Sequence, residues 1–159
     1  GSTYYQNRRF LRDLSEIRWS IVEQPNFVQV GKELFETAEL LFYDDIETCI
    51  VEQSPDAIIL SGVLQYLEEP YSLLGKALSP PFKYVLVDRT PFWQAERDRL
   101  QIQRTPPSIY DASYPTWIFS LARFKQFLAP HEIVAEFTAL DNGLGGYDYK
   151  GFVIKVVDK

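Results

Sequence analysis

The sequence is short of the residues on which much enzyme chemistry depends. Its 159 residues include one cysteine and one histidine. A single cysteine rules out an internal disulfide. Cys49 falls at an apolar helical position beside Ile46 and Ile50 and reads as a small buried hydrophobe, which suits a reducing cytoplasm. No apolar run approaches the ~18 residues that a membrane span needs, and no signal peptide is visible, so a membrane is not an expected partner. Basic charge is scarce as well. Against 22 Asp and Glu there are 16 Lys and Arg, a formal net charge of -6 that disfavours a grip on phosphate backbones, so nucleic acid is not expected to bind. The one basic cluster, Arg8, Arg9 and Arg12, reads as a solvated helix face. No His/Cys/carboxylate group has metal-ligand spacing, and neither a Gly-x-Ser-x-Gly elbow nor a Walker-type loop occurs. Metal, serine-hydrolase and phosphoryl-transfer readings therefore lack support.

Aromatic residues, by contrast, are plentiful: 11 Phe, 10 Tyr and 3 Trp, enough for a dense core and an aromatic cleft. The length suits one domain. Phe10, Leu11, Leu14 and Ile17 recur at helical spacing, so the chain is expected to open with a helix over 3–17. Trp19 to Glu23 then reads as a strand, stopped by Pro25, with Asn26 capping a helix that carries Phe27, Val30, Leu34 and Phe35. The pattern repeats with a strand at 40–43 and a helix capped by Asp44 or Asp45, where Asp44 and Glu47 have capping-box spacing. Further strands follow at 57–61 and 84–88, with a helix over 71–78 between them. Residues 89–115, with Pro91, Pro106, Pro107 and Pro115 among aromatics, read as an inserted loop, and Trp117, Leu121, Phe124 and Leu128 as a helical stripe. The last two runs, 132–138 and 151–157, have no helix between them and should pair antiparallel. The expected fold is α/β and Rossmann-like, a mostly parallel mixed sheet with one antiparallel strand near the C-terminus and helices on both faces.

In such sheets ligands bind beyond the carboxyl ends of the strands. There the sequence places Glu23, Asp44 with Asp45, Ser61 with Gly62, and Asp88. Glu23 is the best single candidate, an acceptor for the paired hydroxyls of a ribose, because Asn26 is the better cap for the helix that follows. For Asp44 and Asp45, capping and ligand contact stand as even alternatives. Asp88 is a candidate base or substrate anchor, or a structural partner of Arg89. Ser61-Gly62 allows a ligand close to the backbone, or is an ordinary tight turn. His131 invites an acid/base role from its ordinary pKa, but it precedes the strand 132–138 and so belongs on the opposite rim, with a structural or solvent role.

The order of elements resembles the class I S-adenosylmethionine-dependent methyltransferases, whose sheet ends in an antiparallel strand. The stretches STYYQNRRFL, VEQPNFVQVGKELFE, LSGVLQYLEEPYSLL and YPTWIFSLARFKQFL are similar to a bacterial methyltransferase family linked to surface-polysaccharide genes. The resemblance implies S-adenosylmethionine as cofactor, with Glu23 on its ribose, Asp44 or Asp45 near its adenine, and Ser61, Gly62 and Val63 beside its methionine part. Tyr110, Tyr114 and Trp117 would cover a small-molecule or saccharide acceptor. The alternative, from another class, is a non-catalytic module that keeps the fold for binding or assembly. A nicotinamide-dependent dehydrogenase lacks its glycine fingerprint here.

Such enzymes begin with a strand and an acidic, glycine-rich loop, of which Gly1 is at most the last glycine. Residues 1–159 are thus expected to form a single methyltransferase-like domain lacking its first strand, which belongs between the strands near 19–23 and 57–61. Those two strands meet directly, or a homo-oligomer fills the gap, or the natural chain starts upstream, the favoured reading.

Overall fold

A computed structural model describes residues 2–108, 111–141 and 146–157. The chain divides into two compact units, Gly1–Pro55 and Asp56–Lys159.

In the amino-terminal unit, helix α1 (Ser2–Asn7) leads to strand β1 (Trp19–Val22), helix α2 (Pro25–Leu34), strand β2 (Leu40–Tyr43) and helix α3 (Ile46–Gln53). The two strands run parallel, Trp19 opposite Leu40 and Val22 opposite Tyr43. Alternation sorts their side chains. Trp19, Ile21, Leu40 and Phe42 face a small core with Tyr4 of α1 and Val28 of α2, and Gly31 lets α2 lie against the Phe42 ring, where a Cβ would collide. The Tyr4 hydroxyl donates to Glu39 at 3.0 Å, which Arg8 also reaches. On the other face, Tyr43 donates its hydroxyl to Glu52 and accepts from Gln53 of α3, so the helices cover both faces of this pair.

Two local expectations shift. The opening helix does not reach residue 17: one turn of 3-10 helix (Arg8–Leu11) follows α1, and Phe10 and Leu14 are exposed. An apolar stripe that buries nothing cannot offset the cost of a short helix. Helix α2 starts earlier than Asn26, with Gln24 as N-cap and Pro25 in the first turn, where its missing N–H costs nothing.

The carboxyl-terminal unit holds strand β3 (Ala57–Ser61), a 3-10 turn (Leu64–Tyr66), helix α4 (Pro70–Ala77), strands β4 (Tyr84–Trp93), β5 (Arg99–Thr105) and β6 (Ala112–Ser120), helix α5 (Leu121–Leu128), and strands β7 (Glu132–Thr138) and β8 (Asp148–Lys155). The sheet order is β5-β6-β4-β8-β7, with β3 also on β4. The β3–β4 and β4–β6 pairs are parallel, while β4–β8, β5–β6 and β7–β8 are antiparallel. The final antiparallel pair is present, but the sheet is mixed and not mostly parallel, because β5 runs against the others as well as β8. Among the described residues β1 pairs only with β2, and β3 only with β4.

The extra reversed strand comes from the stretch expected to be a loop over 89–115. In its place β4 continues to Trp93, and β5 and β6 form a hairpin, Leu100 opposite Trp117 and Thr105 opposite Ala112. Two prolines that suggested a loop sit where a strand tolerates them. Pro91 lies beyond the last β3–β4 pair (Ser61, Asp88) and before the first β4–β6 pair (Phe92, Phe119), and Pro115 lies where β6 pairs with β5 alone. The helix expected from Thr116 begins only at Leu121. Thr116, Ile118 and Ser120 alternate as buried strand residues, and the Ser120 hydroxyl caps α5 by accepting from Arg123 N–H at 3.2 Å.

Leu60, Val85, Val87, Phe152 and Ile154 point to one face, where Leu74 and Ala77 of α4 and Phe124 and Leu128 of α5 bury them. Phe92, Phe124 and Phe152 meet edge to face or tilted at 4.9–5.5 Å, and each buried ring contributes about 2–3 kcal/mol. Helices α4 and α5 lie side by side through Tyr71 and Phe127, ring centroids 5.0 Å apart. In this unit they therefore share one face, and the expectation of helices on both faces does not hold for it. Among the described residues no helix is long and apolar enough to cross a membrane.

Candidate functional site

The carboxyl ends of the strands carry the polar residues expected of them. In the amino-terminal unit Glu23 follows β1 and Asp44 follows β2, and the Glu23 N–H donates to Tyr43 O at 3.0 Å, which sets the two ends level. Glu23 is exposed. One carboxylate oxygen, Oε2, accepts from the backbone N–H of Gln24 at 3.0 Å, which holds the side chain beside the first turn of α2. Asp45 is the N-cap of α3: its Oδ1 accepts from Thr48 N–H at 2.7 Å, a bond that holds its carboxyl below the usual carboxylate range. Between the even alternatives, capping thus falls to Asp45, while Asp44 remains exposed. A groove of about 560 Å³ lined by Ile17, Arg18, Glu39 and Leu41 opens at the opposite ends of β1 and β2, away from these carboxylates.

In the carboxyl-terminal unit the rim is built around a change of partner. Strand β8 runs along one edge of β4, so β3 and β6 share the other edge. Strand β3 ends at the Ser61–Asp88 pair and β6 joins at Phe92. Between them the β4–β8 register slips at a bulge between Val87 and Thr90, and Arg89 takes a left-handed conformation with φ 52°. A non-glycine residue there is strained, and such strain concentrates at working sites.

The bulge gathers several groups. Asp88, half-buried, accepts from Arg89 N–H at 2.8 Å and, more weakly, from the Ser61 hydroxyl at 3.5 Å. Gly62, at φ 65°, donates its N–H to Asp88 O at 2.9 Å. A Cβ on Gly62 would lie in ordinary van der Waals contact with Gln65 Nε2 at 3.9 Å and Arg89 Cβ at 4.0 Å, so it is the positive φ and not crowding that favours glycine here. Arg89 contacts Asp88 only through its backbone N–H. Its guanidinium forks onto Asp141 at 2.8 and 2.9 Å, and its carbonyl accepts from Gln65 Nε2 at 3.1 Å.

Of the aromatic residues expected over an acceptor, Tyr114 stands edge-on to Tyr66 at 5.5 Å, two residues beyond Leu64 in the turn that follows Val63. Trp117 is half-buried on β6, with its indole N–H donating to Leu67 O at 3.0 Å, so it packs the turn from beneath. Tyr110 lies outside the described residues. Ser61, Gly62, Asp88 and Tyr114 thus belong to one rim. His131 lies at the other, beside the start of β4, where its Nδ1 accepts from Val157 N–H at 3.2 Å.

Sequence reasoning missed Tyr66, Tyr149 and Asp141 at this rim. Tyr149 stands opposite Pro91 across the β4–β8 pair, with Tyr147 at 5.8 Å. Burial, followed by the charges of Tyr147, Tyr66 and Asp141, pushes the Tyr149 hydroxyl up to about 12. The available signal was position: Tyr66 falls five residues after Ser61, and Tyr149 is the second residue of the last strand.

No family model and no curated protein matches this sequence. Solved structures do. The chain is similar to the N-terminal domain of EvdMO1, solved in the presence of SAH and D-fucose, with a TM-score of 0.65 at 15% identity over 99% of this chain and 74% of that one. It is also similar to the glycopeptide N-methyltransferase MtfA complexed with S-adenosyl-L-methionine, with a TM-score of 0.54 at 12% identity over 93% and 80%. At these identities the likeness shows the fold: the chain is built on the fold of these structures.

Proposed function

We propose that the chain is an S-adenosylmethionine-dependent methyltransferase domain acting on a small-molecule or saccharide acceptor. The observation that carries this reading is the shared fold, in structures crystallised with S-adenosyl-L-methionine, SAH or sinefungin, together with polar residues at the carboxyl ends of the strands in each unit, where α/β sheets bind ligands. The chemistry of the residues fits the cofactor. Glu23, exposed and with Oε2 alone engaged, would accept from the ribose hydroxyls and Asp44 from the adenine amino group. Ser61, Gly62 and Val63 would flank the methionine part, where the lack of a side chain at Gly62 lets a ligand approach the backbone. Asp45 is committed to its cap and leaves the adenine to Asp44.

When bound, the cofactor supplies an electrophilic methyl group on a sulfonium. The residues of this chain then have little covalent work. They align the acceptor in line with the methyl, exclude water, and, for a hydroxyl or amine acceptor, receive a proton. Asp88 would receive it, and Tyr114 and Trp117 would shape the acceptor side.

The test is calorimetric titration of S-adenosylhomocysteine into the chain and into one extended upstream. Binding by either, weakened in Glu23→Gln, supports the reading. Binding by neither leaves the non-catalytic module as the function of this fold.

A further inference from the structure

The groups around the β4 bulge are lopsided in their chemistry. Both oxygens of Asp141 are held by Arg89, but acceptor capacity remains: Asp88 takes one bond on each carboxylate oxygen, and the side-chain oxygen of Gln65 takes none among the described residues. That oxygen is the more telling because Gln65 is only 3% exposed and its Oε1 finds no partner among the described residues, although Nε2 of the same amide is satisfied by Arg89 O. A buried acceptor without a donor is costly and needs explaining. Two cations beside the bulge, Arg89 and Lys150, are already engaged. Arg89 is neutralised by its fork onto Asp141, and Lys150, the next residue along β8 from Tyr149, turns to Glu136 at 3.0 Å. Around these acceptors stand tyrosine rings, Tyr66 against Tyr114 and Tyr149 against Tyr147. Ring faces attract cations and offer nothing to anions.

We propose that this rim is an amine-binding acceptor site, in which the rings of Tyr66, Tyr114 and Tyr149 and the carboxylate of Asp88 select an ammonium-bearing ligand over its hydroxyl counterpart. The assignment rests on the methyl-transfer reading for its consequence but not for the binding itself. Asp88 is the group that makes the amine reactive. An ammonium has no lone pair, so one proton passes from nitrogen to the Asp88 carboxylate and on to water. The cofactor, when bound, would supply the methyl carbon to the freed lone pair, with the C–S electron pair leaving on a neutral thioether sulfur and the positive charge passing to nitrogen. The tyrosine faces stabilise that charge before and after transfer.

The experiment compares D-glucosamine with D-glucose, a pair that differs in an ammonium and a hydroxyl, by calorimetric titration into the full chain with and without saturating S-adenosylhomocysteine. Glucosamine should bind about tenfold more tightly, and the preference should fall to about twofold in both Asp88→Asn and Tyr66→Leu. Equal affinities, no measurable glucosamine binding, or a preference that survives both substitutions would overturn the assignment. Failure of S-adenosylhomocysteine to bind, with the glucosamine preference intact, counts against methyl transfer and leaves the amine site standing.

Discussion

The guanidinium of Arg89 holds the carboxylate of Asp141 through two bonds of 2.8 and 2.9 Å, and it does so from a backbone conformation that favours glycine. The fork and the strain oppose one another. Arg89→Ala loses the fork and keeps the positive φ, whereas Arg89→Gly loses the fork and relieves it. The glycine variant should therefore be the more stable of the two by about 1 kcal/mol, measured by urea denaturation. If the alanine variant is equal or better, the bulge is not strained.

Asp98 should be the most costly carboxylate to remove from the carboxyl-terminal unit. Its side chain is 5% exposed and accepts from Ser120 N–H at 2.8 Å, Arg123 Nη1 at 2.9 Å and Tyr71 Oη at 3.3 Å. Asp98→Ala orphans three donors, one of them charged, and should cost about 3 kcal/mol in denaturant unfolding. A loss under ~1 kcal/mol would mean that water reaches the cluster.

Gly31 is expected to resist substitution. A methyl group at this position collides with the Phe42 ring, and the gain in helix propensity on replacing glycine offsets only part of the strain, so Gly31→Ala should destabilise by about 1–2 kcal/mol. Adding Phe42→Leu should recover part of that loss, which a double-mutant cycle would detect.

Tyr149 gives a pH signature. Its hydroxyl is held above the ordinary phenol value, up to about 12, so the folded state keeps that proton more tightly than the unfolded state does. The stability this contributes is complete below pH ~10 and is lost as pH rises towards about 12. Absorbance titration should show several phenols ionising late, Tyr149 together with Tyr71, Tyr4 and Tyr43, and Tyr149→Phe should shrink that phase by one hydroxyl and lessen the alkaline loss of stability.

Glu23→Gln should weaken S-adenosylhomocysteine by about tenfold, since a neutral amide loses the charge assistance of the ribose contact. Asp45→Asn, which keeps an N-cap, should leave that affinity unchanged. An effect at Asp45 equal to that at Glu23 would show that the cap residue also meets the ligand.

What the sequence revealed and what it hid follow from range. The polar strand ends were legible because Glu23, Asp44, Ser61 and Asp88 each close a short apolar run, a pattern confined to about five residues. The antiparallel pair β7–β8 was legible because no helix separates its runs. The hairpin β5–β6 was not, although Leu100, Ile102 and the residues between them alternate as a strand should. Four prolines outweighed that signal, and only the pairing register shows that Pro91 and Pro115 each have a partner on one edge alone, Tyr149 and Ile102. Thr116 to Ser120 misled in the opposite direction, since Trp117 and Leu121 fit a helical stripe that in fact starts beyond the Ser120 cap. The acceptor-rich rim depends on a bulge and on Asp141, fifty-two residues from Arg89. No local pattern announces a contact of that separation.

Because β4 trades one neighbour for another in mid-course, it carries a joint along one edge. Its first half is gripped by β3 and its last residues by β6, and the residues between, Arg89 to Pro91, belong to neither. Across the other edge β8 spans the gap, Thr90 opposite Lys150 and Pro91 opposite Tyr149. Asp88 closes the first half, Arg89 opens the one-sided span and Tyr149 faces Pro91 at its end, so the groups that would meet a ligand gather where the sheet has a neighbour on one side alone.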